Sequence, residues 1–349
     1  MVGVGDKILH ICELDKFIPP FMSVVRAEFE QQNHMFITIG DLSKYPYAES
    51  HDSKHYSNFS LSKSELVRRC SSADKILLHG IYMAPLTRFL FWRPWLLAKC
   101  YWVLWGGDLY EYMRSPRSKR WYLNEFYRRF VIKRIGFIVT YIRGDYDLAV
   151  KWYKARGKLL YCLMYPSNTY VARCLSQPIG DGRTIKILVG NSADPRNNHM
   201  EALAKLKFYS GQDIEIYVPL SYGSQKYADK VVDYGVQTFG DSFIPMRHML
   251  AMDDYYEFLS SIDIAIFNHE IQQAMGNTIT LLGMGKKVYL RANTTSCSLL
   301  ESLGIKVHSL AELNLKPISA ADAQTNEGII RRGFGADDLV SQLSVIFEG

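Results

Sequence analysis

The chain has 349 residues, of which 48% are hydrophobic, 22% charged and 13% aromatic. This composition excludes intrinsically disordered and fibrous classes and provides enough apolar material for two cores of ordinary domain size. The 41 Lys and Arg residues exceed the 35 Asp and Glu residues and give a net charge of +6. Such a modest excess matters only where it is concentrated.

The predicted elements of the first half alternate between short β-rich runs and helical patterns. Strands are predicted at residues 7–12, 35–39, 75–79, 101–104, 136–140 and 158–162. Helices are predicted at residues 20–32, 63–70, 118–134 and 146–155. This alternation is typical of parallel strands joined by crossover helices. We therefore expect an α/β fold with a complete doubly wound sheet in residues 1–175.

A polar stretch with Pro and Gly at about 176–183 predicts a linker to a second domain at 184–349. Strands are predicted there at residues 185–189, 214–218, 236–239, 263–267, 287–290 and 305–308. Helices are predicted at residues 198–209, 224–234, 253–261, 277–284 and 296–303. Two Rossmann-like domains in tandem predict a cleft between the carboxyl ends of their strands, where open α/β sheets bind ligands.

The cysteines and the apolar segments indicate the compartment. The six cysteines are scattered, with no C-x-x-C pair and no His cluster at zinc-ligand spacing, which predicts reduced thiols and no structural metal. The first residues lack the features of a signal peptide, so we expect a cytoplasmic protein. The most apolar region, residues 89–107, is interrupted by Arg93, Pro94 and Lys99, which predicts no transmembrane span.

The loop after the first strand of the second domain is a candidate phosphate site. It begins Gly190-Asn191-Ser192 and continues to Arg196 and His199 at the start of a helix. Gly190 permits close backbone approach, and Ser192 can donate a hydrogen bond. Arg196 and His199 can supply charge or donors beside the helix dipole. An ordinary β–α turn is the alternative, because neither nucleotide fingerprint is present.

A second polar loop follows the predicted strand 263–267 and leads into an apolar helix. Its candidate residues are Glu270, Gln272, Gln273, Gly276, Asn277 and Thr278. Acid, amide and hydroxyl groups before a helix start suit the hydroxyls and diphosphate of a sugar nucleotide. In the alternative interpretation, Asn277 only caps the helix while Glu270 and the glutamines face water.

Candidate acids and bases follow two strands of the first domain. Asp108 and Glu111 lie after the strand that ends in Gly106-Gly107, and either carboxylate can act as a general base where an apolar setting raises its pKa. His79, at the end of the strand at 75–79, is the rival base. Asp108 can equally be a helix N-cap, and a lone histidine is more often structural.

A basic and aromatic zone spans residues 92–134. Five of the six tryptophans lie between Trp92 and Trp121. The segment from Arg114 to Arg134 contains eight Lys or Arg residues and only one acidic residue, Glu125. Aromatic rings interleaved with cations are typical of surfaces that bind anionic lipid headgroups. The alternatives are a solvated helix face and nucleic-acid binding, for which the sequence holds no recognised motif.

Four motifs in order resemble glycosyltransferase family 56. They are Trp105-Gly-Gly-Asp108-Leu-Tyr-Glu111, Ile187-Leu-Val-Gly-Asn-Ser192 followed by Asn198-His199, Val218-Pro219 with Tyr222, and Gln272-Gln273 with Gly276. The resemblance implies a GT-B fold with an amino-terminal acceptor domain, a carboxyl-terminal donor domain and no essential metal. It also implies transfer of an N-acetylated dideoxyhexose such as Fuc4NAc from a TDP-sugar to an undecaprenyl-pyrophosphate-linked saccharide. That reaction belongs to enterobacterial common antigen or O-antigen assembly at the cytoplasmic face of the inner membrane.

The resemblance and the residues together predict a role for each motif. The donor diphosphate would lie between the Gly190 loop and the Gly276 helix start, beside His199, with Glu270 and Gln273 on sugar hydroxyls. The nucleotide base would lie near Tyr217, Pro219 and Tyr222, and Asp108 is the first choice for the catalytic base. Acceptor and membrane contacts are predicted for Trp105, Arg114, Arg117, Arg120, Arg128 and Arg129. The alternatives are another donor nucleotide (UDP or GDP), a sugar-nucleotide epimerase or dehydrogenase, and a non-catalytic scaffold.

Overall fold

The computed structural model describes residues 7–59, 63–172 and 184–349. These residues form two compact units. Unit 1 comprises the chain through Asn168 together with Ala336–Gly349, and unit 2 comprises Thr169–Gly335. The predicted linker at 176–183 lies outside the described residues. The predicted second domain reached residue 349, whereas the last helix belongs to unit 1.

Unit 1 is a Rossmann-like parallel sheet with crossover helices. Its strands are β1 (Ile8–Glu13), β2 (His34–Ile39), β3 (Ser53–Tyr56), β4 (Lys75–His79), β5 (Cys100–Val103), β6 (Phe137–Val139) and β7 (Lys158–Leu160). Its helices are α1 (Ile18–Glu28), α2 (Lys63–Ser72), α3 (Ala84–Phe91), α4 (Gly106–Leu109), α5 (Lys119–Arg134), α6 (Arg143–Tyr153) and α13 (Ala336–Glu348). The strand order is β3-β2-β1-β4-β5-β6-β7, so the order reverses between β1 and β4.

Unit 2 repeats this architecture. Its strands are β8 (Ile185–Val189), β9 (Ile214–Pro219), β10 (Phe243–Met246), β11 (Ile264–Phe267), β12 (Lys287–Leu290) and β13 (His308–Ser309). Its helices are α7 (His199–Leu206), α8 (Gln225–Phe239), α9 (Met252–Ser261), α10 (Met275–Gly283), α11 (Thr295–Ser302) and α12 (Ala320–Gly333). The order β10-β9-β8-β11-β12-β13 reverses between β8 and β11. The prediction of two Rossmann-like domains is therefore confirmed.

One predicted strand, at residues 236–239, is wrong. These residues continue helix α8, whose buried positions Ala228, Val231, Gly235 and Phe239 follow the three-to-four-residue spacing of a helix. The strand is β10, which contains Pro245 and lies at the edge of the sheet. An edge position tolerates proline because the missing N–H faces away from the ladder.

Helix α13 completes unit 1. The Phe347 ring packs edge-on against His34 and Phe29 at centroid distances of 4.7 and 4.9 Å. The buried Lys75 ammonium donates to the Phe347 carbonyl at 2.8 Å. Because these partners lie just after α1 and on β2 and β4, the helix covers the face of the sheet around its central strands.

Candidate functional site

The carboxyl edge of the unit 2 sheet, where β8 and β11 are neighbours, brings the two polar loops together. Gly190 follows β8 with φ +71°, a conformation that favours glycine, and a Cβ there would collide with the imidazole of His199. Asn268 follows β11, and its backbone carbonyl accepts from the Asn198 amide at 3.2 Å. The Glu270 N–H also donates to the Arg196 carbonyl at 3.3 Å. The two loops therefore form one surface.

Asn197 joins these loops from a buried position. Its Oδ1 accepts from the backbone N–H of Asn191 and from His269 Nε2, both at 2.9 Å. Its Nδ2 donates to Ser192 at 3.4 Å and to Gln273 at 3.3 Å. Sequence reasoning gave no role to Asn197 or His269. An asparagine followed by Asn198 and His199 within a β–α loop is the signal that would have found Asn197.

Two buried histidines lie beside the Gly190 loop. Desolvation lowers the pKa of His199 to about 4 and that of His269 to about 3, so both imidazoles are neutral at pH 7. His199 Nδ1 lies 3.3 Å from the Tyr227 hydroxyl, and its Nε2 has no hydrogen-bond partner among residues 7–59, 63–172 and 184–349. This buried nitrogen packs against the backbone of Gly190, so His199 lies directly under the glycine loop.

Gln273 and Arg196 both meet Asp194 in this cluster. Gln273 Nε2 donates to Asp194 Oδ2 at 3.0 Å, and the Arg196 guanidinium pairs with the same carboxylate at 2.5 Å. This pairing and the hydrogen bonds lower the pKa of Asp194 despite its burial. Glu270 is exposed, and Gln272 is partly buried. Of the predicted residues, Asn191, Ser192, Arg196 and Gln273 are thus grouped around Asp194 and Asn197.

Helix α10 begins at Met275, after Ala274 in a left-handed conformation. Asn277 is therefore not the N-cap, and it donates instead to the Tyr255 hydroxyl at 2.8 Å. Thr278 bonds back to the Ala274 carbonyl at 3.0 Å, while Gly276 lies between them in the first turn. The first backbone N–H groups of α10 lie beside the Gln273 loop, where they favour an anion.

The residues predicted near the nucleotide base are divided by the structure. Tyr222 is 39% exposed, and its hydroxyl accepts from Asn191 Nδ2 at 3.2 Å. Tyr217 instead donates to Glu215 at 2.7 Å and packs on Phe258, and Pro219 is buried at the end of β9. Tyr222 therefore belongs to the loop cluster, while Tyr217 faces the flank of the sheet.

In unit 1, Asp108 is fully buried at the start of α4. Its Oδ2 accepts from Trp102 Nε1 at 2.6 Å and from the Ile81 N–H at 2.8 Å, and its Oδ1 accepts from the Trp105 N–H at 3.0 Å. Burial raises the pKa of Asp108 to about 6. A carboxylate with three N–H partners and no exposure fixes the loops after β4 and β5, and this favours a structural role over the predicted role of base.

Arg128 was predicted to contact acceptor or membrane, and this is corrected by its burial. Its guanidinium donates to the backbone carbonyls of Ile81 and Asp108, and it is paired with Glu125. Only 6% of the residue is exposed. Arg128 therefore holds the same loops as Asp108, because a buried cation requires such partners.

His79, the rival base, lies in a chain of buried groups. Its Nδ1 lies 2.7 Å from the Tyr165 hydroxyl, and its Nε2 lies 3.1 Å from His10 Nδ1. Desolvation lowers the pKa of His79 to about 3. Both nitrogens are thus occupied, whereas Glu111 is partly exposed and paired with Arg114 at 2.9 Å.

The basic and aromatic zone forms an exposed surface on α3, α5 and the segment between α3 and β5. We define the aromatic patch as Trp92, Trp95, Tyr122, Leu123 and Phe126, which are 69%, 67%, 59%, 50% and 61% exposed. The Phe91 ring contacts both Trp92 and Phe126, at 5.2 and 5.6 Å. The predicted cations Arg114, Arg117, Arg120 and Arg129 are exposed along the segment that leads into α5 and on α5 itself.

The described residues were compared with what a membrane span or a metal site requires. Within 7–59, 63–172 and 184–349, no helix is long and apolar enough to cross a bilayer. In the same part of the chain, no group of three or more His, Cys, Asp or Glu side chains is placed to hold a metal ion.

Solved structures with this fold include sugar-nucleotide enzymes. HepE of Anabaena, determined with UDP and glucose, has a TM-score of 0.68 at 10% identity over 98% of this chain and 99% of that one. WaaG, a glycosyltransferase of lipopolysaccharide biosynthesis, has a TM-score of 0.59 at 12% identity over 98% and 100%. A putative UDP-N-acetylglucosamine 2-epimerase from Listeria monocytogenes has a TM-score of 0.56 at 14% identity over 98% and 95%. The fold is therefore GT-B, as predicted.

The family comparison identifies the chemistry. The model of the family described as 4-alpha-L-fucosyltransferase, glycosyl transferase group 56, matches residues 11–326. This range includes the loops at Gly190 and Gln273 and the segment around Trp105. The chain belongs to glycosyltransferase family 56 and is a glycosyltransferase.

Proposed function

We propose that the protein transfers an N-acetylated dideoxyhexose from a TDP-sugar to a polyprenyl-pyrophosphate-linked saccharide in bacterial surface-polysaccharide assembly. The observation that carries this proposal is the meeting of the two polar loops where the unit 2 sheet reverses its strand order. A glycine with positive φ, a buried histidine nitrogen without a partner and a helix start lie together there. This combination suits a sugar diphosphate.

In the proposed donor site, backbone N–H groups of the first turn of α10 bind the diphosphate beside the Gly190 loop. His199 Nε2 can donate to a phosphate oxygen when its proton lies on that nitrogen, with Nδ1 accepting from Tyr227. As the bond between the anomeric carbon and the diphosphate breaks, these donors stabilise the charge of the leaving group. We propose that they do so without a metal ion.

The sugar and nucleotide are proposed from the family resemblance. The description of the family names a fucosyltransferase. Fucose is a 6-deoxyhexose with a methyl group at C6, and the proposed dideoxyhexose has the same C6 methyl group. Gln273 and Glu270 supply amide and carboxylate groups for ribose or sugar hydroxyls. The Tyr222 ring, which is partly exposed beside Asn191, stacks on the nucleotide base in this proposal.

For the acceptor side, we propose that the aromatic patch and its cations bind an anionic bilayer at the cytoplasmic face of the inner membrane. The Arg88 guanidinium stacks over Tyr127 at 5.6 Å and that of Arg134 over Phe130 at 3.8 Å, so cations lie on the same helices as the exposed rings. Tryptophan and arginine are the residues that combine headgroup and acyl-chain contacts. A polyprenyl acceptor would be met at this surface.

The first experiment is the shift in thermal midpoint across TDP, UDP, GDP, CMP and NAD, with and without EDTA. A ligand at a hundred times its Kd stabilises the folded protein by about 2.7 kcal/mol. Selective stabilisation by TDP that EDTA leaves unchanged supports the proposed donor. If UDP or GDP stabilises the protein more than TDP, the proposed TDP-sugar donor is wrong. If EDTA removes the shift in thermal midpoint, the proposed metal-independent binding is wrong.

A further inference from the structure

A second ligand-binding edge lies in unit 1, where the strand order reverses between β1 and β4. Asp15 follows β1, Tyr82 follows β4 and Trp105 follows β5. Ligands of open parallel sheets bind outside the carboxyl ends of the strands at such a reversal. These three side chains are therefore positioned by topology at the place where a substrate is expected.

Aromatic rings line this edge. The Phe17 and Tyr82 rings lie edge-on to Trp105, at 5.6 and 6.1 Å between centroids. Tyr82 is held by two glycines, since a Cβ on Gly80 would lie 2.5 Å from its ring and a Cβ on Gly107 would lie 2.9 Å from its hydroxyl. The Tyr82 residue is nevertheless 42% exposed. A fixed and exposed ring offers the electron-rich face on which the C–H groups of a pyranose pack.

Asp15 provides a carboxylate beside these rings. One oxygen, Oδ1, accepts from the Phe17 N–H at 2.8 Å, and this bond fixes the side chain. The other oxygen accepts no hydrogen bond from any residue in the described part of the chain. Asp15 is only partly buried. In contrast to Asp108, it has an oxygen available to a substrate hydroxyl.

The electrostatic surroundings of Asp15 suit proton transfer. Burial raises its pKa above the usual value, while the Phe17 N–H and the charges of Lys16 and Lys44 oppose that shift. Glu13, on the same strand end, also has a raised pKa, from burial first and then from Asp15. Burial raises the pKa of the Tyr165 phenol, and the charge of Asp15 adds to that shift. The carboxylate is thus within electrostatic range of the rings that line the edge.

We propose that this edge binds the acceptor sugar, with Tyr82 and Trp105 as its platform and Asp15 as the base that accepts the proton of the attacking hydroxyl. The inference rests on the proposed function and assigns its acceptor site. In the step, the hydroxyl oxygen bonds to the anomeric carbon while its proton passes to the free oxygen of Asp15. The bond to the diphosphate breaks, and the nucleoside diphosphate leaves with the electron pair.

The test compares Asp15→Asn, Tyr82→Ala and Tyr82→Phe with the parent protein. The probe is farnesyl-diphosphate-linked N-acetylglucosamine, its binding is followed by tryptophan fluorescence, and its glycosylation is followed by nucleotide release. Asp15→Asn keeps an oxygen for the Phe17 N–H, and we expect kcat to fall about 100-fold with unchanged nucleotide affinity. The acid limb of the pH profile of kcat/KM should disappear in this variant. The matched control is Asp41→Asn, an exposed carboxylate after β2.

Tyr82→Ala should weaken probe binding and raise its KM about fivefold, which corresponds to a stacking contribution of about 1 kcal/mol from one ring, while Tyr82→Phe restores both. A kcat for Asp15→Asn within threefold of the parent overturns the assignment of the base. If the parent transfers no sugar from any donor, the proposed function fails. The acceptor subsite is then judged by binding alone: probe affinity lost in Tyr82→Ala supports it, and unchanged affinity overturns it.

Discussion

The indole N–H of Trp105 donates a hydrogen bond to the hydroxyl oxygen of Tyr165 at 2.9 Å. Because an indole can only donate, the Tyr165 proton points to His79 Nδ1. Neutral His79 then donates from Nε2 to His10, and His10 donates from its own Nε2 to His34 at 3.0 Å. One side chain at the proposed acceptor edge thereby fixes the tautomers of three buried histidines.

Removing the hydroxyl in this chain should destabilise unit 1. Tyr165→Phe leaves the Trp105 N–H and His79 Nδ1 without their partner, which costs about 1–3 kcal/mol. Chemical unfolding followed by tryptophan fluorescence reports this unit alone, because all six tryptophans lie between residues 92 and 152. Tyr122→Phe, at an exposed tyrosine, is the control and should be neutral. Equal stability of the two variants would contradict the proposed hydrogen bonds from Trp105 through Tyr165 to His79.

Acid should weaken the folded state through the same histidines. Their pKa values are lowered by burial, to about 3 for His79 and about 4 for His34, so only the unfolded chain binds protons as the pH falls below about 6.5. For each histidine that stays neutral in the folded state, the free energy of unfolding then falls by about 2 kcal/mol between pH 7 and pH 5. Asp108 acts in the opposite direction, since its raised pKa of about 6 lets the folded state take up a proton first.

His79→Gln isolates one of these contributions. The variant is destabilised at pH 7, and its difference from the parent in unfolding free energy should narrow by about 2 kcal/mol at pH 5. Unfolding curves of both proteins at the two pH values give this difference directly. If the difference in unfolding free energy were the same at both pH values, His79 would be protonated in the folded state at pH 5.

The Gly190 loop should not tolerate a side chain. Gly190→Ala places a Cβ against the His199 imidazole at a backbone φ of +71°, so we expect nucleotide affinity to fall at least about tenfold through strain in the loop. Gly211→Ala is the matched control, because a Cβ there meets nothing within 4 Å. Isothermal titration with the nucleotide that stabilises the parent measures both variants. Retained affinity in Gly190→Ala would remove this loop from the donor site.

Membrane binding should depend on the aromatic patch. Trp92→Ala combined with Trp95→Ala should reduce co-sedimentation with vesicles that contain anionic lipid, because two exposed rings are lost from the interface. Phe208→Ala, at a ring that is 90% exposed in unit 2, serves as the control. Binding of the parent should weaken as salt rises. Vesicle binding that changes neither in the tryptophan variant nor with added salt would refute the membrane proposal.

The sequence predicts the fold class well because most strands are continuous apolar runs that periodicity identifies. The failures have local causes. Strand β10 carries Pro245 and a partly exposed end, and the amphipathic helix before it ends in the β-rich residues Val236 to Phe239. Strand β3 was not predicted, because its sequence Ser53-Lys-His-Tyr56 has no apolar run. It lies at the edge of the sheet and pairs with β2 alone.

Site residues are predicted less well, because residue type does not determine whether a side chain is buried. Asp108 and Arg128 are plausible at a surface, yet both are buried and bond to the loop at Ile81. Asn197 connects the two polar loops after β8 and β11, a role that depends on these strands being neighbours. Adjacency between distant strands follows from strand order, which local patterns do not encode.

The return of helix α13 to unit 1 affects how the protein is made. Residues 169–335 leave the ribosome before Ala336–Glu348, so the first unit waits for its covering helix until the second has been synthesised. Until then, Phe29 and His34 lack the Phe347 ring. A fragment that stops at Asn168 would expose that face and should aggregate, whereas a circular permutant that joins α13 directly to β1 would restore continuity to the unit.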